Sequence, residues 1–227
     1  MYFNQLPLIQ QLDVVTSNVI TYICTRIQTQ KIKDMKKNLL TLAAGMLLIT
    51  ASHAEGWKLD PAHSKIRFKA EYLLISETEG DFKKFDGSFT SAKPDWTDLK
   101  TTLSVDVNSI NTDNEMRDGH LKSDDFFNAE KYPQIKFEST SVKKTGDKQY
   151  VLNGNLTIRD VTKAISMPVV YNGIVKDPWG NTKAGFKSSA KINRKDFGLK
   201  YSGAAGTGEA VVGDEIEFTV DLVLIKQ

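Results

Sequence analysis

One cysteine, Cys24, is all that the 227 residues contain, and histidine numbers only three. Cys24 lies in an N-terminal stretch read here as absent from the mature chain, so disulfides and thiolate chemistry are both excluded there. No apolar run approaches the roughly 20 residues that a membrane-spanning helix needs. The longest, Leu39 to Ile49, is about a dozen residues. Nor does either sign of charge dominate: 30 Lys+Arg face 28 Asp+Glu, a formal net of +2. That balance offers no electrostatic footprint for nucleic acid or an anionic membrane.

The small basic excess is local. Residues 1–54 carry Arg26, Lys31, Lys33, Lys36 and Lys37 against Asp13 and Asp34, and without them the chain is nearly neutral. Lys31 to Lys37 form a positive region, Leu39 to Ile49 an apolar one, and Ser52-His53-Ala54 supplies small residues at the two positions a signal peptidase reads. Residues 35–54 therefore read as an export signal cleaved after Ala54, which places the mature protein in the periplasm. Residues 1–34 are either an upstream extension or an unusually long n-region.

From Glu55 onward the pattern has a period of two. Ile66, Phe68, Ala70 and Tyr72 alternate with Arg67, Lys69 and Glu71, and Ile216, Phe218, Val220, Leu222 and Leu224 repeat the rhythm near the end. Alternation of this kind marks a strand with one buried and one wet face. Asp86-Gly87, Thr145-Gly146-Asp147, Asp177 to Asn181 and Gly213-Asp214 read as hairpin or loop punctuation. About eight strands result, one of them around Glu79 to Thr90. Asn114 to Phe127 breaks the rhythm and reads as a short helical insertion between the third and fourth strands. A closed barrel removes exposed edges, although a two-sheet sandwich also satisfies the alternation.

Motifs sharpen this picture. Trp57-Lys58-Leu59-Asp60-Pro61-Ala62-His63-Ser64-Lys65-Ile66-Arg67-Phe68 resembles the opening of the YceI-like, polyisoprenoid-binding family. Gly80-Asp81-Phe82 with Phe85-Asp86-Gly87, Val107 to Thr112, Arg117-Asp118-Gly119-His120-Leu121 with Ser123 to Phe127, and Pro133 to Thr140 follow in the family's order. Gly154 to Ile158 with Val161-Thr162, and Ile192-Asn193-Arg194 with Asp196-Phe197-Gly198, complete the set. Asp160 stands where the family usually has glycine, in a position read as a turn.

The resemblance implies an all-β, eight-stranded antiparallel lipocalin-like β-barrel over residues 55–227, with a short helical insertion. It further implies a carrier for a long-chain isoprenoid lipid, a polyprenyl lipid or isoprenoid quinone, rather than an enzyme. No cofactor, metal or nucleic acid is expected, and apolar rims could support a homodimer.

The apolar inward positions are the candidate lining: Ile66, Phe68, Phe82 and Phe89; Leu103, Val105 and Phe137; Leu156, Ile158 and Phe186; Ile216, Phe218 and Val220. The bland alternative is that they pack together as a filled core. Arg117, His120 and Arg194 are candidate head-group contacts, or braces holding the insertion to the barrel. His63 and His120 with Asp60 or Asp118 lack metal-ligand spacing. Asp60, His63 and Ser64 are expected to tie the approach to the first strand to a neighbouring loop, and Phe126-Phe127 to plug one barrel end. Two other functions remain open: an isomerase or cyclase acting on such a lipid, and a solid-barrel stress protein without ligand.

Overall fold

The computed structural model describes residues 21–22, 25–31, 33, 55–203 and 211–227. The predicted signal segment, 35–54, lies outside them. Residues 53–227 form a compact unit of their own.

Eleven strand segments build that unit: β1 (Glu55–Leu59), β2 (Lys65–Tyr72), β3 (Ser76–Phe82), β4 (Phe85–Ser91), β5 (Lys100–Asp106), β6 (Ile110–Asn111), β7 (Gln134–Gly146), β8 (Gln149–Ile158), β9 (Val161–Lys176), β10 (Thr182–Asn193) and β11 (Val212–Lys226). One α-helix, α1 (Glu115–Lys122), sits between β6 and β7 as expected. All pairings are antiparallel. β1 and β2 lie end to end along β11, and β3 and β4 lie end to end along them. The eleven segments thus occupy eight strand positions, and pairing of β1 and β2 with β11 closes the ring. The sandwich alternative is thereby eliminated.

The single strand expected around Glu79 to Thr90 is two segments broken at Lys83-Lys84. Asp86-Gly87 is not a turn but part of β4, paired with Ser104 and Leu103. A side chain at Gly87 would meet the Thr102 carbonyl oxygen at 2.6 Å, so glycine here serves close strand approach. Gly213-Asp214 likewise lies within β11, at a bulge, not in a hairpin.

The register defines two rims. At the upper rim β2, β5, β8 and β10 end and β7, β9 and β11 begin. At the lower rim lie the β7–β8 and β9–β10 hairpins and the β4–β5 connection. α1 covers the upper rim. Its N-cap is Asn114, whose side chain accepts from the Arg117 amide at 3.0 Å. Asp118, buried, accepts from the Thr112 amide at 2.9 Å and its hydroxyl at 2.6 Å, while Arg117 donates to the Thr112 hydroxyl and carbonyl. The Arg-Asp pair therefore clamps the end of β6 to the helix.

The segment before β2 is tied to strands, not to the expected loop. Ser64 Oγ accepts from the Val223 amide at 2.9 Å, and Asp60 binds Lys183 Nζ of β10 at 2.9 Å and His63 Nδ1 at 2.9 Å. The reason is closure itself, which brings β10 and β11 beside the β1–β2 junction. Burial pushes the Asp60 carboxyl up, but hydrogen bonds from Lys183 and His63 outweigh it and hold it below 3.8. A depressed carboxylate stabilises the fold above its unfolded value and loses that contribution as pH falls through the folded one. Asp60→Asn should cost about 2 kcal/mol at pH 7. In urea titrations the gap to wild type should close as pH drops below 3.8.

Candidate ligand cavity

The inward residues of the strands do not fill the barrel. A cavity of about 240 Å³ runs along its interior, and no polar atom of the wall is accessible from it. β11 shows the vacancy most clearly: Ile216, Phe218, Val220 and Leu222 all face inward yet stay partly accessible.

An aromatic layer closes the lower end. Trp96 packs on Trp57 and on Phe186, each with ring centroids 4.9 Å apart, and on Tyr171 at 5.8 Å. Trp57, Phe89, Trp96, Tyr150 and Leu224 are all buried there. Tyr150 Oη donates to the Asp95 carbonyl at 2.9 Å, which pins the β4–β5 connection across the barrel floor. Burial pushes that hydroxyl's pKa up, so it stays a neutral donor.

At the upper end Leu121, Phe126 and Phe127 of the insertion reach into the wall beside Leu199. Phe126 stacks against Tyr201 at 4.9 Å, and the His120 ring meets both edge-on. Phe127 packs edge-on against Phe82 at 6.2 Å. Beside this plug, Ala70, Val212 and Ile216 carry the wall up to the rim between β2 and β11. The ladder breaks there: Val212 pairs with Tyr72 and Ile216 with Ala70, so four steps of β11 span two of β2.

Arg194 holds this break in shape. The residue is 3% exposed, and its guanidinium donates to the carbonyls of Gly213 (2.9 Å), Leu199 (2.7 Å) and Val212 (3.3 Å) and to Asp214 (3.0 Å). It follows β10 in a short 3-10 turn, Arg194–Phe197, capped by the Asn193 side chain. Gly198 ends the turn at φ +78°, in the left-handed region that suits glycine. Phe197 is 2% exposed.

The cavity wall contains all thirteen lining candidates: Ile66, Phe68, Phe82, Phe89, Leu103, Val105, Phe137, Leu156, Ile158, Phe186, Ile216, Phe218 and Val220. Gly80 belongs to this arrangement, because a side chain there would collide with the Phe68 ring at 2.5 Å. Of the three head-group candidates only Arg194 touches the wall, and its donors are engaged by the protein. Arg117 is bound to Thr112, and His120 Nε2 lies 2.9 Å from Asp125. His63 is likewise bonded to Asp60, and the described residues contain no cluster of three or more His, Cys, Asp or Glu able to hold a metal.

Sequence reasoning missed Trp96 and Arg159. Trp96 lies outside any strand at φ +60°, beyond the reach of a period-two pattern. Arg159, in the β8–β9 turn, donates to the carbonyls of Asp124 (3.1 Å) and Phe126 (3.0 Å), anchoring the plug. Arg159→Ala should raise hydrogen exchange across residues 115–128 about tenfold, the equivalent of one or two net hydrogen bonds.

The YceI-like domain matches residues 57–224. The chain belongs to the YceI-like family. A UPF0312 protein of Photorhabdus laumondii is 45% identical over 170 residues, covering 73% of this chain and 88% of its own. Protein YceI of Salmonella newport is 40% identical over 197 residues, covering 85% of this chain and 100% of its own. Among solved structures, BcnA of Burkholderia cenocepacia matches with a TM-score of 0.63 and 25% identity, over 73% of this chain and 98% of its own. That crystallised chain is thus matched over nearly its whole length. A polyisoprenoid binding domain from Saccharophagus degradans, 15% identical with a TM-score of 0.58 over 75% of this chain and 98% of its own, shares the fold. The clamp on Thr112 and the capped turn at Arg194 give a physical reason for the Arg117-Asp118 and Asn193-Arg194 motifs.

Proposed function

We infer that this YceI-like protein is a binding protein that holds one long-chain isoprenoid lipid, a polyprenyl lipid or an isoprenoid quinone, inside its barrel. The observation that carries the reading is a narrow cavity closed at one end and lined without one accessible polar atom. Such a wall offers no acid, base or nucleophile to a bound chain, which favours carriage over isomerase or cyclase chemistry. The polyisoprenoid binding named for the Saccharophagus domain supports the same ligand class.

Magnitudes agree. Taking the ~30 Å³ share of a water molecule as a unit, the cavity holds roughly eight methylene-sized groups. Their burial contributes about 6 kcal/mol before ordering costs. A longer chain must then extend past the upper rim and leave its polar end outside. The N-terminal pattern of charge, apolar run and Ser52-His53-Ala54 supports export to the periplasm, with a mature chain starting at Glu55.

Expression in a bacterium with detergent-free purification, followed by native and lipid mass spectrometry, tests both parts. A stoichiometric isoprenoid on a chain beginning at Glu55 is the expected result. An empty barrel that also refuses added polyprenols and quinones would sink the lipid reading.

A further inference from the structure

The β2–β3 hairpin turns through Leu73, Leu74 and Ile75. Leu73 and Leu74 sit at φ +52° and +60°, a conformation that turns usually fill with glycine, asparagine or aspartate. Leu74 is 58% exposed, Ile75 82% and the preceding Tyr72 41%. Backbone strain and solvated apolar surface coincide at one turn, and each alone disfavours the folded state. The hairpin is nonetheless well anchored, since the Leu73 amide donates to the Val211 carbonyl at 3.1 Å.

Its position connects it to the cavity. Tyr72 pairs with Val212, and Val212 is already cavity wall. The turn therefore projects from the rung where the ladder breaks and the wall reaches the rim. α1 at the same rim exposes Met116 at 87%. No basic surplus accompanies the turn: Lys69 is paired with Glu77 and Glu79, and Glu71 stands beside Gly213. A second exposed group, Ile174, Val175 and Trp179, lies at the lower rim over the sealed aromatic floor, with no continuity to the cavity.

We propose that the Leu73–Ile75 turn is a membrane-contact element, which seats the upper rim on the apolar boundary of a lipid bilayer so that an isoprenoid passes between bilayer and barrel. The proposal rests on the lipid-binding reading. A bilayer fits better than a protein partner, because a few side chains on a hairpin tip fall far short of the roughly 800 Å² per partner of a stable protein interface. Reversible insertion of large apolar side chains into a bilayer requires no such area. The local acidic balance makes the contact independent of anionic lipid.

Flotation of the residue 55–227 barrel with neutral phosphatidylcholine vesicles provides the test. Wild type should co-float. Leu74→Ser with Ile75→Ser should lower partition at least tenfold, and Trp179→Ser should leave it unchanged. Leu73→Asn with Leu74→Gly, which relieves the strained turn, should raise the melting temperature while also lowering partition, a combination that damage to the fold would not give. Loading of a fluorescent polyprenol from vesicles should slow in both turn variants, with its affinity unchanged when it is delivered from cyclodextrin.

No flotation of wild type, equal loss in Trp179→Ser, or binding confined to anionic vesicles and abolished by salt would each overturn the proposal. So would a dimer, or a captured protein partner, that the turn substitutions release while vesicle binding persists. Failure of polyprenol to bind even from cyclodextrin would count against the lipid reading alone, since flotation of the empty barrel judges the turn separately.

Discussion

Val220→Trp is expected to give a folded barrel that retains almost no lipid. Val220 sits midway along β11, packs beside the Ile66, Phe82, Val105 and Ile110 cluster, and is only partly buried where it lines the cavity. An indole there has room to enter, so the usual cost of about 1–3 kcal/mol for overpacking a filled core should be largely avoided. What it displaces is the bound chain. Losing contact with four or five methylenes at ~0.8 kcal/mol each removes roughly 3–4 kcal/mol, a fall in affinity of two to three decades. Lipid mass spectrometry of the purified variant should find substoichiometric lipid, with a urea midpoint close to wild type. Full occupancy in this variant would show that the ligand lies elsewhere.

Arg194→Met should act in the opposite sense, on the fold before the ligand. The substitution keeps the aliphatic stem but strands the carbonyls of Val212, Gly213 and Leu199 that the guanidinium serves. Breaking a buried, multiply bonded charge typically costs about 3–5 kcal/mol. Arg194→Lys should recover little, because one ammonium cannot reproduce a planar fork aimed at three carbonyls. Denaturant unfolding measures the loss, and hydrogen exchange should locate it at residues 212–215 and 194–199. A variant with undiminished stability would return Arg194 to the role of a head-group contact.

The alternation made most strands legible, because a closed antiparallel sheet sends every second side chain into one interior. The thirteen lining candidates reached the cavity wall for that reason. Legibility failed where position is set by contacts distant in sequence. Trp96 becomes floor only because Trp57 and Phe186 meet it there, and Arg159 becomes an anchor only because the insertion folds back over the β8–β9 turn. Turn chemistry misled twice, at Asp86-Gly87 and Gly213-Asp214, where glycine serves close approach and a bulge. Conversely the Leu73-Leu74 turn carried no turn residue at all. The head-group candidates were recognisable as important but not for what, since a guanidinium reads the same in sequence whether its partner is a phosphate or a carbonyl.

Ring closure by the first and last segments has a consequence for how the chain reaches this state. The seam joins Trp57 to Lys226, the Gln227 amide donates to the Gly56 carbonyl at 3.0 Å, and Lys226 bonds to Glu55 at 2.7 Å. Contacts of such sequence separation form late, so a chain still emerging from a ribosome or a translocation channel cannot complete its barrel. Because Glu55 and Gln227 lie side by side, a short linker could join them in a residue 55–227 barrel, with new termini cut at Asp147-Lys148. Such a circular permutant would keep every rung of the cylinder while changing the order in which the rungs become available.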